Sequence, residues 1–252
     1  MTSEFCRILG MTFQEVTSET HPLGQAIRAM LNYTNLGQLE QRNLQQVRLQ
    51  SLLQDLQIIE RYNTDILDQF TTKLRHITSE NYFGERLEIR TTAVLINKKV
   101  IFKKNEAPDF VIDGKYSDSF VECGSIHLYR QALKNKDPLN KLAYVIRKKS
   151  KKIYCNHKTA LFIDFTNIHS NTAESTMTKE DLVNYVHENL KSSNYGSVLL
   201  FAYRLELNTN RYYSAYIRID NNGIDHNLLN FLNDVFPLGN LTIDTSLIPE
   251  QG

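Results

Sequence analysis

The sequence predicts an α/β protein: a mixed β-sheet with helices on its faces, preceded by a helical N-terminal extension. Three observations predict it. From about Leu23 to Thr78, apolar residues such as Leu36, Leu39, Val47, Leu49, Leu52, Leu56 and Ile59 recur at spacings of three and four, the period of a helix with one buried side. From about Lys99 the texture changes to short β-type runs separated by turn residues. Helical stretches then alternate with further strands, an order that covers a sheet with helices.

Taken in order, residues 1 to about 20 carry few structural signals. Asn32 to Gly37 (NYTNLG) marks the break between a first helix and a longer second one. Tyr82 to Asn97 suits a helix, with Phe83, Leu87, Val94 and Leu95 along one side. Strands follow at Lys99–Phe102 (KVIF), Asp109–Ile112 (DFVI) and Ser119–Cys123 (SFVEC). Asp113-Gly114 opens the turn between the last two, so they pair most simply as a hairpin. Pro138 to Tyr154 predicts a helix with proline in its first turn. Ala160–Phe165 (ALFIDF) is almost continuously apolar, as a buried strand is. A helix near Lys179–Leu190, strands at Ser197–Leu207 and Tyr212–Ile219, and a helix near Asn227–Phe236 complete the chain. The expected organisation is a helical region over 1–79 and an α/β domain over 80–252, with its core at 81–168 and a C-terminal extension at 175–240.

Composition narrows the function classes. With 252 residues, 41% hydrophobic and 23% charged, the chain is neither disordered nor fibrous in character. No apolar run reaches the roughly 18 residues of a membrane span, and the N-terminus has no signal-peptide core; the expectation is a cytoplasmic protein with no membrane partner. Three widely spaced cysteines (Cys6, Cys123, Cys155) make no disulfide framework, and without a CxxC unit a zinc site is short of ligands. The Walker-type, GxGxxG and HExxH patterns are all absent. The net charge of +1 says little, but Lys134 to Lys158 holds nine basic residues against one acid, Asp137. That excess suits a phosphate backbone or a solvated helix face.

Two acids stand out by position. Asp109 follows Pro108 at the start of one strand, and Glu122 lies near the end of the next. With the turn centred near residues 115–116, the two are nearly opposite across the hairpin. Paired carboxylates repel and lose solvation when buried, and a divalent cation relieves both costs. The plainer alternative is that Asp109 caps a turn and Glu122 forms an edge salt bridge.

The helix, the Pro108-Asp109 strand start, the hairpin, VECGS, the basic helix and LFIDFTN together resemble the PD-(D/E)XK nuclease superfamily, whose fold is restriction-endonuclease-like. The resemblance covers roughly residues 81–168. It implies a metal-dependent nuclease acting on the phosphodiester bonds of DNA, with Mg²⁺ or Mn²⁺ as cofactor. Asp109 and Glu122 match the acids of the second and third strands, and Glu88, in GERLEIR, matches the acid of the first helix as a further metal ligand.

The family's lysine, two positions beyond Glu122, is here Gly124. Some members are similar in drawing that lysine from the following helix. Leu142, Ile146, Lys149 and Ile153 are spaced four, three and four, on one helical face. Lys149 therefore interrupts the stripe that faces the sheet, and an inward lysine needs an anion. Lys148, Lys151 and Lys152 fall elsewhere on the wheel and suit solvent or nucleic-acid phosphates. The alternative for Lys149 is a stem on the core with its ammonium in water.

Other residues read more plainly. Ser125 and His127 could touch a phosphate but have no triad around them. Gln131 suits the surface. Asp164 suits a hydrogen bond to a neighbouring backbone. Tyr203, Tyr212, Tyr213 and Tyr216 suit packing better than stacking on bases. Two further functions stay open: a catalytically inactive nuclease-like domain that binds nucleic acid or a protein partner, and a helical scaffold. The N-terminal helices could pack on the core, form a homodimer or meet a partner.

Overall fold

The computed structural model describes residues 1–126, 138–166, 179–206, 211–238 and 243–244, with the side chains of 40, 138, 179, 203–206, 211–214 and 243–244 outside that description. The chain divides into two compact units. One comprises Met1–Asn97 with Leu205–Tyr213 and Asp244–Gly252, and the other comprises Lys98–Arg204 with Ser214–Ile243.

Over Met1–Asn97 the first unit is helical: α1 (Thr2–Leu9), α2 (Phe13–Val16), α3 (Pro22–Asn35), α4 (Leu39–Tyr62), α5 (Thr64–Arg75) and α6 (Ser79–Asn97). The first two lie where the sequence offered few signals, yet the local chemistry is definite. Phe5, Ile8 and Leu9 of α1 enter the unit's core, and Gly10 ends the helix with φ 61°, the left-handed cap that glycine adopts freely. Thr12 and Glu15 form a reciprocal capping box at α2: Glu15 N–H donates to Thr12 Oγ1 (3.3 Å) and Thr12 N–H to Glu15 Oε2 (2.7 Å). The predicted break at Asn32–Gly37 separates α3 from α4. A second break follows Tyr62, where the Asn63 side chain accepts from the N–H groups of Asp65 and Ile66 (2.9 and 3.1 Å) and starts α5.

Helix α6 belongs with this unit. Tyr82 and Ile89 join one apolar cluster with Phe5, Leu56 and Phe70, so the units divide after Asn97 and not after residue 79. Its buried set (Tyr82, Leu87, Ile89, Ala93 and Leu95 among others) is broader than the single side the periodicity suggested. Arg90 of α6 donates through Nη1 to Asp55 Oδ1 of α4 at 2.7 Å, with the Asp55 side chain 3% exposed.

The second unit carries most of the sheet, whose strands are β1 (Phe102–Lys104), β2 (Phe110–Ile112), β3 (Ser119–Ser125), β4 (Thr159–Asp164), β5 (Ser197–Glu206), β6 (Arg211–Asp220) and β7 (Ile243–Asp244). The strands neighbour one another in sequence order. β1, β2 and β3 run antiparallel in a meander, and β3, β4 and β5 run parallel, which makes the sheet mixed. Helices α7 (Pro138–Lys149), α8 (Lys179–Lys191) and α9 (His226–Val235) accompany it.

Both faces of the sheet are covered. Leu161 and Ile163 of β4 pack with Leu142 and Ile146 of α7 and with Leu182, Val186 and Leu190 of α8. The intervening Phe162 points the other way, as strand alternation requires, and its ring meets Phe236 at 5.1 Å. Phe236 also meets Phe231 of α9 at 6.2 Å. Tyr216 joins this aromatic cluster (5.8 Å to Phe236) and donates its hydroxyl to Pro237 O (2.8 Å), a packing role. No helix among the described residues is long and apolar enough to cross a membrane.

One expected element is shorter. The helix predicted to reach Tyr154 stops at Lys149. Lys152 N–H then donates to Lys149 O (3.1 Å) and Cys155 N–H to Lys152 O (2.9 Å), so the chain turns. Ile153, assigned by periodicity to the inward stripe, is instead fully exposed.

Candidate functional site

The β2–β3 hairpin builds the site. Its register sets Phe110 against Val121 and Ile112 against Ser119; carried one residue further, it sets Asp109 opposite Glu122. Asp113 and Gly114 close the turn, with Asp113 Oδ1 accepting from Gly114 N–H (2.8 Å) and Gly114 at φ 69°. Cross-strand partners share a face, and both acids are buried, at 7% and 4% exposure. Asp109 Oδ2 accepts from Cys123 N–H at 2.6 Å, which ties the start of one strand to the middle of the next.

Lys149 reaches this pair from the last turn of α7. Its ammonium donates to Glu122 Oε1 and to Cys123 O at 2.8 Å. Gly124 explains the approach. A β-carbon at residue 124 would lie 3.7 Å from Lys149 Cε and 3.6 Å from Val145 Cγ1. The lysine stem from the helix thus fills the space in which a side chain on strand residue 124 would rise.

Burial of the Lys149 ammonium opposes its charge, but the charge and hydrogen bond of Glu122, with the charge of Asp109, outweigh it and hold its pKa above the ordinary lysine value. Lys149 is therefore a cation throughout the neutral range. Its folded pKa is raised, so its stabilising contribution is complete below the unfolded lysine pKa and is lost only as the pH climbs through the folded value.

Sequence reasoning missed two partners. Tyr154 donates its hydroxyl to Glu122 Oε2 at 2.8 Å, and burial together with that carboxylate pushes its own pKa up. Lys104, whose side chain is 4% exposed, brings Nζ to 3.8 Å from Asp109 Oδ1 and to 5.0 Å from the centre of the Phe110 ring. The buried cluster thus matches two carboxylates with two ammonium groups. Tyr154→Phe is expected to lower stability by about 1–3 kcal/mol, because it removes a donor from a buried carboxylate; urea denaturation of parent and variant at pH 7 measures the loss.

The remaining predicted residues sort as follows. Glu88 lies on α6 in the first unit, with Oε2 3.9 Å from Lys73 Nζ. Lys148, Lys151 and Lys152 are exposed, with Lys148 Nζ 5.9 Å from the Tyr144 ring centre. Ser125 ends β3 half-buried. Asp164 Oδ1 accepts from Thr166 N–H (2.9 Å), a local backbone role. His127 and Gln131 lie outside the described residues, as do the side chains of Tyr203, Tyr212 and Tyr213. Burial pushes the Cys155 thiol up to about 11, so it is not a thiolate nucleophile near neutral pH.

The donor set suits a hard cation. Asp109, Glu122 and the Cys123 carbonyl are all oxygen donors, and Mg²⁺ is commonly held by one or two carboxylates together with water and substrate phosphate. Among the described residues, no group of three or more His, Cys, Asp and Glu that could hold a metal ion comes together. No protein-family model, curated protein or solved structure matches this chain.

Proposed function

We propose that the second unit is a metal-dependent nuclease domain of the restriction-endonuclease-like class, hydrolysing phosphodiester bonds in DNA. The observation that carries this reading is the position of Lys149: its stem lies over Gly124 and its ammonium on Glu122. A lysine beside two strand acids is the constellation that PD-(D/E)XK chemistry requires, here assembled from a helix. The order of antiparallel meander, helix and parallel strand within this unit supports the same reading.

In this site Asp109 and Glu122 would hold Mg²⁺, with Mn²⁺ as a substitute. The bound ion would supply Lewis-acid polarisation and a water of lowered pKa. Lys149 offsets the charge that develops on the phosphate. Tyr154 fixes the second oxygen of Glu122, and Lys104 neutralises Asp109 before substrate arrives. The exposed Lys148, Lys151 and Lys152 engage the phosphate backbone.

The test is incubation of the full chain with plasmid and linear DNA in Mg²⁺, Mn²⁺ or EDTA. Cleavage is expected with either metal and not with EDTA, and is lost in Asp109→Ala and Glu122→Ala. The triple variant Lys148→Ala/Lys151→Ala/Lys152→Ala is expected to lower the slope of log affinity against log salt by about one per lysine that contacts a phosphate. Salt-sensitive DNA retention without cleavage by the parent chain would instead make the unit an inactive binding module.

A further inference from the structure

The turn that follows α7, from Lys149 to Tyr154, is held at both ends by one carboxylate. Lys149, the last residue of α7, donates to Glu122 Oε1, and Tyr154 donates to Glu122 Oε2. Between these anchors the backbone is tied down: Ser150 N–H donates to Ile146 O at 2.9 Å, Lys152 N–H to Lys149 O at 3.1 Å and Cys155 N–H to Lys152 O at 2.9 Å. Lys151, Lys152 and Ile153 project from this turn into solvent, Ile153 with 101% of its surface exposed.

A single apolar side chain in water is ordinary. This one differs in its setting. It follows two exposed lysines, while Arg147 and Lys148 are exposed on the preceding helical turn and Tyr144, one turn earlier, is 58% exposed. Residues 138–163 contain no acid at all. An apolar tip flanked by cations on an ordered turn is complementary to a groove lined by phosphates. Side chains such as isoleucine enter such grooves by wedging between base steps. Ile153 also adjoins Tyr154 in the chain, with neighbouring Cα atoms about 3.8 Å apart, so a wedge there falls close to any phosphate held at Glu122.

We propose that Lys151-Lys152-Ile153 is a knuckle for double-stranded nucleic acid: the lysines seat on the phosphates and Ile153 unstacks one base step beside the scissile bond. As an account of substrate handling it rests on the nuclease reading; as a binding device it is measurable without cleavage. The substrate class it selects is a duplex deformable at the cut site, as opposed to a single strand.

The experiment uses the full chain carrying Asp109→Ala, with duplexes that hold 2-aminopurine at successive positions. Binding is expected to raise the fluorescence at one or two adjacent positions, and adding Ile153→Ala is expected to remove the rise while salt-sensitive retention persists. In the active chain, Ile153→Ala is expected to slow cleavage of a matched duplex about tenfold and to spare a duplex already mismatched at that step. A bound duplex without a fluorescence rise, or a rise that survives Ile153→Ala, overturns the knuckle. So does Ile153-dependent binding to phosphatidylserine vesicles without unstacking of DNA. Unstacking that depends on Ile153 in a chain that cuts nothing keeps the knuckle and removes the nuclease reading; cleavage without unstacking does the reverse.

Discussion

Returning the lysine to the strand, in the double variant Gly124→Lys/Lys149→Ala, is expected to restore much of the DNA cleavage that Lys149→Ala alone reduces by about 10²–10³-fold. The reason is spatial. Lys149 Cε sits 3.7 Å from where a β-carbon on residue 124 would stand, so truncating one side chain opens the volume that the other needs. The single variant Gly124→Lys is expected to lose both activity and stability, since two stems then compete for one channel and two ammonium groups repel.

Loss of Lys149 also leaves Glu122 buried with Tyr154 but without its cation, which destabilises by about 3–5 kcal/mol if one partner of a buried pair is removed. Circular dichroism and urea denaturation therefore accompany the cleavage assay, and rates are compared at a temperature where every variant is folded. A Lys149→Ala chain that is folded and cuts DNA at the parent rate would remove the lysine from the chemistry. A folded double variant that stays inactive would mean that the helix sets the ammonium in a way the strand cannot copy.

Arg90→Ala is expected to destabilise the chain by about 3–5 kcal/mol at pH 8 and by clearly less at pH 5. Asp55 is buried, and burial raises its pKa from 3.8 to about 6 against the charge and hydrogen bond of Arg90 and the charge of Arg86. A carboxyl whose folded pKa lies above its unfolded value disfavours folding when ionised. That penalty is complete above about pH 6 and disappears as the pH falls through the unfolded value near 4. The parent chain should therefore gain stability through this group between pH 7 and pH 4.

Removing Arg90 takes away the nearest compensating charge and drives the Asp55 pKa higher still, so acidification relieves more of the loss. Urea midpoints for parent and variant at pH 8 and pH 5 isolate the effect, because other carboxylates cancel in the difference. A loss of equal size at both pH values would show that Arg90 contributes packing and not charge compensation.

Local chemistry accounts for what the sequence made legible in the candidate site. The Asp113-Gly114 turn and strand alternation determine the hairpin register, and with it the placement of Asp109 opposite Glu122. The spacing of Leu142, Ile146 and Lys149 determines that the lysine faces inward. The same periodicity misplaced Ile153, because a helical wheel cannot show where hydrogen bonding passes from a helix to a turn. The capping box at Thr12 and Glu15 and the Asn63 cap were equally local signals, readable at short range though hidden among weakly apolar neighbours.

The sequence by itself thus determined the alternation of helices and strands, the facing carboxylates and an inward lysine, all consequences of spacing along one chain segment. Only the tertiary structure decided that Lys149 meets Glu122 and occupies the space above Gly124, that Tyr154 and Lys104 complete the cluster, and that α6 packs with the N-terminal helices. Those outcomes depend on volumes and hydrogen-bond directions between segments far apart in the chain, which no local period encodes.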